Sequence, residues 1–538
     1  MPNKKNKNKK KQHHHHNNHS APKPAHSETE DHHDVLEEKL QNLHIEENGG
    51  AAKPYRVEIS QIYGRYLVAN RNLRPGEILI KEKALAIGPC VSAEPVCLGC
   101  YMPVTLKATQ YRCPSCRWPM CGAQCRGLGK DTGHTTLECE LFKKENTAAP
   151  LTPDASPVKV KNLYELVLVA RILLQKEQNP ELYGRIMVME SHLEMRQKNP
   201  ELWSHYESNV VKYLRENWHL AERFTSAEIH TVCGILDVNC FEIGQNLAKA
   251  RTLYPSAFLL AHDCCPNTSH TDDPETFDII LRTSRAVRKG EAITLSYAYT
   301  LQGTLKRRDF MQAGKLFWCC CRRCSDPYEL GTDCSAIACE KCRPGLVRST
   351  NPLDQEADWR CDKCPFVMKS EAVVKLLDKI NNDLDAIDAH DIPGLENFLK
   401  RYSGLLGENH YLLLSAKYSL CQLYGKIEGY LLPDLSLEDL QRKKIYCEHF
   451  LKVVDILEPQ LTRLRGLIMY ELHAPMLMLA QRSMMMQLTT ARDFNKTIKE
   501  VIHLLRESAK ILKMEPAGST EHQMGLAAEE ALQKMGVQ

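Results

Sequence analysis

The chain has 538 residues, of which 43% are hydrophobic and 25% charged, enough for roughly two to four domains with cores of their own. A net charge of only +3 gives no global case for nucleic-acid binding, and neither an apolar leader nor an apolar run of about eighteen residues points to secretion or a membrane span. An intracellular, reducing setting is expected, cytoplasmic or nuclear, in which the 23 cysteines are read as metal ligands and free thiols rather than disulfides.

Residues 1–54 are a basic, histidine-rich tail carrying Lys4, Lys5, Lys7, Lys9, Lys10 and Lys11, then His13 to His16. So few apolar groups cannot offset the entropy of ordering, so the tail is read as disordered and solvated. Its lysines also leave open a nuclear-localisation or polyanion role. From Tyr55 the pattern changes to short strands: Val57 and Ile59 alternate, GRYLVA follows at 64–69, and Arg74-Pro75-Gly76-Glu77 makes a turn ahead of residues 78–80. A hairpin-rich sheet is expected over 55–96.

Metal-ligand spacing takes over at residues 97–139. Cys97 and Cys100, Cys113 and Cys116, Cys121 and Cys125, and His134 and Cys139 supply eight ligands. So short and polar a segment needs metal to fold, and eight ligands suit two zinc ions. Residues 140–250 read as helical, with Leu163, Leu166, Val167, Ala170, Leu173 and Leu174 at three-and-four spacing. Over 251–300 come an apolar run at 257–261, the sequence AHDCCPN at 261–267, and GEAITLSY at 290–297, a turn followed by an alternating strand that ends on Tyr297. FWCCCRRC at 317–324 lies within the next block, 301–330. Cys339, Cys342, Cys361 and Cys364, in 331–368, have the spacing of a zinc ribbon, with Gly345 and the 351–356 loop between its two knuckles. Residues 369–538 read as helical, with apolar periodicity at 373–387, 412–423, 446–457, 464–479 and 498–512. Met484, Met485 and Met486 read as packing residues.

AHDCCPN, GEAITLSY and CCCRRC resemble the NHSCxPN, GEExxxSY and CxCxxC signatures of SET-domain protein lysine methyltransferases. The eight-ligand segment resembles a MYND finger, so the chain from residue 55 resembles the SET-and-MYND (SMYD) family, and the ribbon points to its arthropod SmydA branch. The resemblance implies an α+β fold: a split, β-sheet-rich SET domain with an inserted MYND finger and helical insert, a post-SET zinc site and zinc ribbon, and an all-α, TPR-like C-terminal domain. It also implies an S-adenosylmethionine-dependent protein-lysine N-methyltransferase acting on histone or other protein lysines.

Residue roles follow from the same resemblance. Gly64, Arg65, Tyr66, Asn239, Ala261, His262, Tyr297 and Phe317 would contact S-adenosylmethionine, and Phe241 and Tyr297 would line the lysine channel, with Tyr297 catalytic. By its residues alone, Phe241 reads as ordinary core. Four zinc ions are expected. Cys97, Cys100, Cys121 and Cys125 would hold one, and Cys113, Cys116, His134 and Cys139 the second. Cys264, Cys319, Cys321 and Cys324 would hold the third, and the ribbon the fourth.

Departures from the family pattern are Tyr66 in place of a glycine, Ala261 in place of asparagine, Asp263 in place of serine, Lys315 where a channel tyrosine often stands, and one extra residue between His134 and Cys139. Ala261 and Lys315 support an alternative, a catalytically weak or inactive zinc-organised adaptor in transcriptional regulation. It would recruit proline-rich peptides through the finger and acidic tails through the helical array. A cross-braced zinc ubiquitin ligase is the third reading, disfavoured because the finger interrupts a sheet domain. A monomer is expected, with lysine-bearing proteins as substrates, no membrane and no direct nucleic-acid contact.

Overall fold

The computed structural model describes residues 53–92, 94–130, 133–243 and 248–536. The localisation and polyanion roles read for the basic tail therefore fall outside the described residues. Among the described residues, no helix is long and apolar enough to cross a membrane.

The N-terminal sheet is split by a long insertion. Strands β1 (Tyr55–Ser60) and β2 (Gly64–Ala69) form an antiparallel hairpin. β3 (Ile78–Glu82) and β4 (Ala86–Pro89) precede the zinc finger. The remaining strands of the domain come after it, among them the partners of β3 and β4: β5 (Phe241–Ile243), β6 (Ala250–Leu253), β7 (Ala261–His262), β8 (Thr268–Asp272), β9 (Ile279–Thr283) and β10 (Thr294–Leu295). The antiparallel sheets run in the orders β3-β9-β8 and β4-β6-β5, while β7 and β10 pair in parallel. A strand thus starts at Phe241, inside the stretch that periodicity assigns to helix. So short a segment carries too few residues to separate a 2.0 from a 3.6 period.

The insertion has its own core, centred on α2 (Pro157–Gln178) and flanked by α1 (Thr136–Lys144) and α3 (Ser226–Asn239). Residues 163–174 of α2 are all buried, so it is covered on every side and shows little amphipathicity. Ser156 caps its first turn and Pro157 takes a position where no backbone donor is missed. α3 starts with a capping box in which Thr225 and Glu228 satisfy each other's backbone N–H.

Arg171, in the middle of α2, joins the helix to both the sheet and the finger. Its guanidinium donates to the carbonyls of Ile87 (2.8 Å) and Leu98 (2.9 Å), to the Tyr101 hydroxyl (2.7 Å) and to the buried carboxylate of Glu138. Arg171→Ala leaves that carboxylate buried without its guanidinium partner, facing His134 alone. The substitution is expected to cost about 3–5 kcal/mol in denaturant unfolding, and a loss below about 1 kcal/mol would show that the pair is dispensable.

After α4 (Thr304–Lys315), the ribbon forms a four-stranded antiparallel sheet of β11 (Ile337–Ala338), β12 (Leu346–Ser349), β13 (Trp359–Cys361) and β14 (Val367–Met368). Seven helices then follow among the described residues: α5 (Ser370–Asp385), α6 (Ile392–Tyr402), α7 (Tyr411–Leu423), α8 (Leu437–Leu457), α9 (Arg463–Met485), α10 (Ala491–Leu512) and α11 (Thr520–Lys534). From α6 onward each packs on the next in sequence. Lys443 of α8 is buried and donates to the carbonyls of Cys421 (2.8 Å) and Tyr424 (2.7 Å) and to Glu471 of α9 (2.7 Å), tying three elements together. The packing reading of Met484, Met485 and Met486 is overturned: they are 40%, 79% and 55% exposed, because they fall where α9 ends and the chain turns away from the core.

Candidate functional site

The four expected ligand sets each come together, with the ligand atoms of each set within 4.8 Å of one another. In the finger, sulfur pairs approach to 3.5 Å (Cys97 and Cys125, Cys100 and Cys121) and 3.6 Å (Cys113 and Cys139). A tetrahedron of sulfurs at zinc–thiolate bond length has edges of about 3.8 Å, so the donor sets fit zinc. His134 belongs with them despite the extra residue before Cys139. Its Nε2 lies 3.3 Å from Cys116 Sγ, and its Nδ1 bonds Glu138 at 2.6 Å, leaving Nε2 to face a metal. In the ribbon, Cys339 and Cys364, and Cys342 and Cys361, lie 3.6 Å apart. A side chain at Gly345 would run into the sulfurs of Cys342 and Cys361, so glycine is what lets the knuckle close around an ion.

Cys264 ties the third set to the sheet. It sits 3.5 Å from Cys324 and 3.9 Å from Cys319. Four thiolates around one zinc carry excess negative charge, and buried Arg307 answers it by donating from Nε to Cys264 Sγ at 3.2 Å. Arg307 also pairs with Glu329 at 3.0 Å, as does Arg323. Burial pushes the Glu329 carboxyl up, but the two guanidiniums outweigh it and hold the group down at about 2.

The same turn carries the chemistry. The parallel pairing of β7 with β10 sets Ala261 opposite Thr294 and His262 opposite Leu295. Asn267 fastens the turn by donating to the Ala292 carbonyl (2.7 Å) and accepting from the Thr294 N–H (2.8 Å). Asp263, in the usual serine's place, accepts from the Cys265 N–H at 2.7 Å. Both nitrogens of His262 are engaged. Nδ1 accepts from the Tyr297 backbone N–H at 3.0 Å, so the proton belongs on Nε2, which faces Cys264 Sγ at 3.3 Å. The imidazole therefore links the zinc-type cluster to the backbone of Tyr297, and its ring is spent on that link.

Tyr297 is half-buried, its hydroxyl donates to the Leu260 carbonyl, and burial pushes its pKa well above the ordinary phenol range. Its ring centre lies 5.2 Å from that of His262, and Phe317 lies 6.0 Å from His262 on another side. Lys315 Nζ lies 5.7 Å from the Tyr297 ring centre and donates to the carbonyls of Asp237 (2.8 Å) and Val238 (2.9 Å). These are last-turn carbonyls of α3, where a helix favours a cation. Burial lowers the pKa of the ammonium. Asn239, which ends that helix, donates to the carbonyls of Glu190 and Ile235, each at 2.8 Å.

The β1–β2 hairpin closes a further side, since β2 packs beside β7 and the 257–259 turn. Gly64 has a φ of +63°, and nothing lies within 4 Å of where its Cβ would be, so the backbone faces open space. Arg65 reaches away to the Val188 carbonyl at 2.8 Å, and the Tyr66 hydroxyl donates to Glu58 at 3.3 Å. Those two side chains are occupied, and the segment offers its main chain. Phe241 packs against Tyr254 and His270, with ring centres 5.5 and 5.6 Å away. The supporting ions Glu138, Arg171, Arg307 and Glu329 are absent from the sequence reading. Single charges within helices or turns carry no spacing signal that could have found them.

No family model matches the sequence. Among curated proteins, SmydA-8 isoform B of Drosophila melanogaster, a SET domain-containing protein, is 29% identical over 398 residues, covering 70% of this chain and 82% of that protein. The histone-lysine N-methyltransferase ASHR1 of Arabidopsis thaliana is 26% identical over 344 residues, covering 58% of this chain and 64% of its own length. Mouse SMYD3, also named a histone-lysine N-methyltransferase, is 26% identical over 268 residues, 48% of this chain and 59% of that protein. The relatives and the four ligand sets together make this chain similar to SET-and-MYND proteins, with a link to the arthropod SmydA proteins.

Proposed function

We propose that the chain is an S-adenosylmethionine-dependent protein-lysine N-methyltransferase. The observation that carries the reading is Tyr297, whose hydroxyl is pinned to the Leu260 carbonyl in a half-buried aromatic corner beside an open backbone at Gly64. The residues suited to hold the cofactor are the main chain of Gly64, Arg65 and Tyr66, the Ala261–His262 strand, Asn239 and the Phe317 ring. When bound, the cofactor supplies an electrophilic methyl group on a sulfonium.

The chain's own residues then align and desolvate. With its proton committed to Leu260, the Tyr297 oxygen is left as an acceptor, suited to orienting an amine N–H or a polarised methyl C–H. A lysine nucleophile must shed its proton, and entry into the half-buried corner beside Tyr297 disfavours the charged form. Lys315 adds like-charge repulsion in the same direction, which helps deprotonation and weakens binding of a charged substrate. In this reading the C-terminal helices form a TPR-like array that binds peptides, and the finger recruits proline-rich partners.

The adaptor is the second reading, favoured by Ala261 and Lys315. Calorimetric titration of S-adenosylmethionine into the zinc-loaded protein separates the two, with Ala261→Asn alongside. Micromolar binding by the natural chain is expected, and the asparagine should tighten it by up to about tenfold by restoring one hydrogen bond worth about 0.5–1.5 kcal/mol. Binding by the asparagine variant alone would mean a disabled site and favour the adaptor.

A further inference from the structure

A cleft of about 1040 Å³ lies between the zinc finger, the β8–β9 turn and the turn that joins α10 to α11. None of its lining residues belongs to the Tyr297 corner, so it is a separate place on the molecule. We propose that it docks an arginine- or lysine-bearing segment of a protein partner.

Three cations, Arg126, Arg282 and Lys513, and three carboxylates, Asp273, Glu275 and Glu515, line it, and the case for a cationic guest rests on Glu515. Each wall cation already has an acceptor: Arg126 donates to the Pro274 carbonyl at 2.8 Å, Arg282 to the Thr271 hydroxyl at 3.2 Å, and Lys513 to both oxygens of Glu529 at 2.8 Å. Glu515 is the group left wanting. It is 8% exposed, one of its oxygens is 4.0 Å from Arg463 Nε, and the other has no hydrogen-bond partner. An unmatched buried oxygen of this kind is costly, a cost that an arriving guanidinium or ammonium removes.

The surroundings agree. Burial raises the Glu515 carboxyl to about 7, with Glu521 and Asp272 adding to the rise while Arg463 and Arg282 oppose it. Asp272 is 7% exposed and is raised to about 6, again chiefly by burial. Asp272 is outside the lining, so Glu515 is the raised carboxyl that a cation in the cleft would meet. Met102, Ile280, Met514 and Pro516 give the cleft apolar walls. Arginine and lysine combine an apolar stem with a charged head, which is the shape such walls accept.

The test is fluorescence anisotropy on the full, zinc-loaded chain with a fluorescein-labelled decapeptide of alternating arginine and alanine. Arginine keeps the probe from serving as a lysine substrate, so failure here leaves the methyl-transfer reading standing. Saturable binding is expected, weakened at least about tenfold by Glu515→Gln. Ala517→Trp, at an exposed position on the rim, should fill the cleft and weaken binding equally without touching the core. Glu438→Gln, at a surface carboxylate far outside the lining, should leave it unchanged. No saturable binding, unaltered binding by both cleft variants, or equal loss in Glu438→Gln would overturn the proposal.

Discussion

Tyr297→Phe is expected to cut methyl transfer by about 10²–10³-fold, roughly 2.7–4 kcal/mol of transition-state stabilisation, while leaving cofactor binding nearly unchanged. The ring stays, so its contacts with His262 and its place beside Lys315 survive. Only the hydroxyl is lost, and with it the bond to Leu260 and the acceptor oxygen. The measurement is transfer of label from tritiated S-adenosylmethionine to core histones, with calorimetry of cofactor binding in parallel. Turnover within about threefold of the parent would remove Tyr297 from the chemistry.

Cys264→Ser should act at longer range. The parent is expected to hold four zinc ions per chain, one for each ligand set, and the variant three. Serine is a poor replacement for a thiolate, so the remaining cysteines, Cys319, Cys321 and Cys324, lose their closing ligand. His262 Nε2 then loses the sulfur it faces, and the imidazole that accepts the Tyr297 N–H is free to rotate. Loss of such orienting partners costs about 10–100-fold elsewhere, and a similar fall in cofactor affinity is expected. Four ions retained, or unaltered affinity, would break the proposed link between metal and tyrosine.

The parts that could be read from the sequence are those set by local spacing. Two cysteines separated by two residues can share an ion whatever surrounds them, so the ligand pairs were legible from spacing, whereas which finger pairs share an ion, and that Cys264 joins Cys319, Cys321 and Cys324, followed from the family resemblance. The split of the sheet was legible because a polar, ligand-dense segment cannot be a strand. Long-range destinations were not. Lys315 could be recognised as out of place, but no pattern says that it ends on the carbonyls of Asp237 and Val238. Helix α6 escaped the apolar-period reading because Pro393 and Gly394 look like a break. They occupy its first turn behind the Asp391 cap, where proline is tolerated. The residues of α2 are apolar on all sides, so its length, not its periodicity, identifies it.

The pairing of β3 with β9 has a consequence for how the protein is made. Ile78 pairs with Arg282, roughly two hundred residues later, so the sheet beneath the tyrosine corner cannot form until that far strand has been synthesised. What lies between carries its own core and two ligand sets, so it can close on itself first and shorten the loop whose ends must meet. Zinc supply during translation is therefore expected to influence when the catalytic face assembles. A chain starved of metal would leave β3 and β4 waiting as unpaired edges, the state from which strand proteins aggregate.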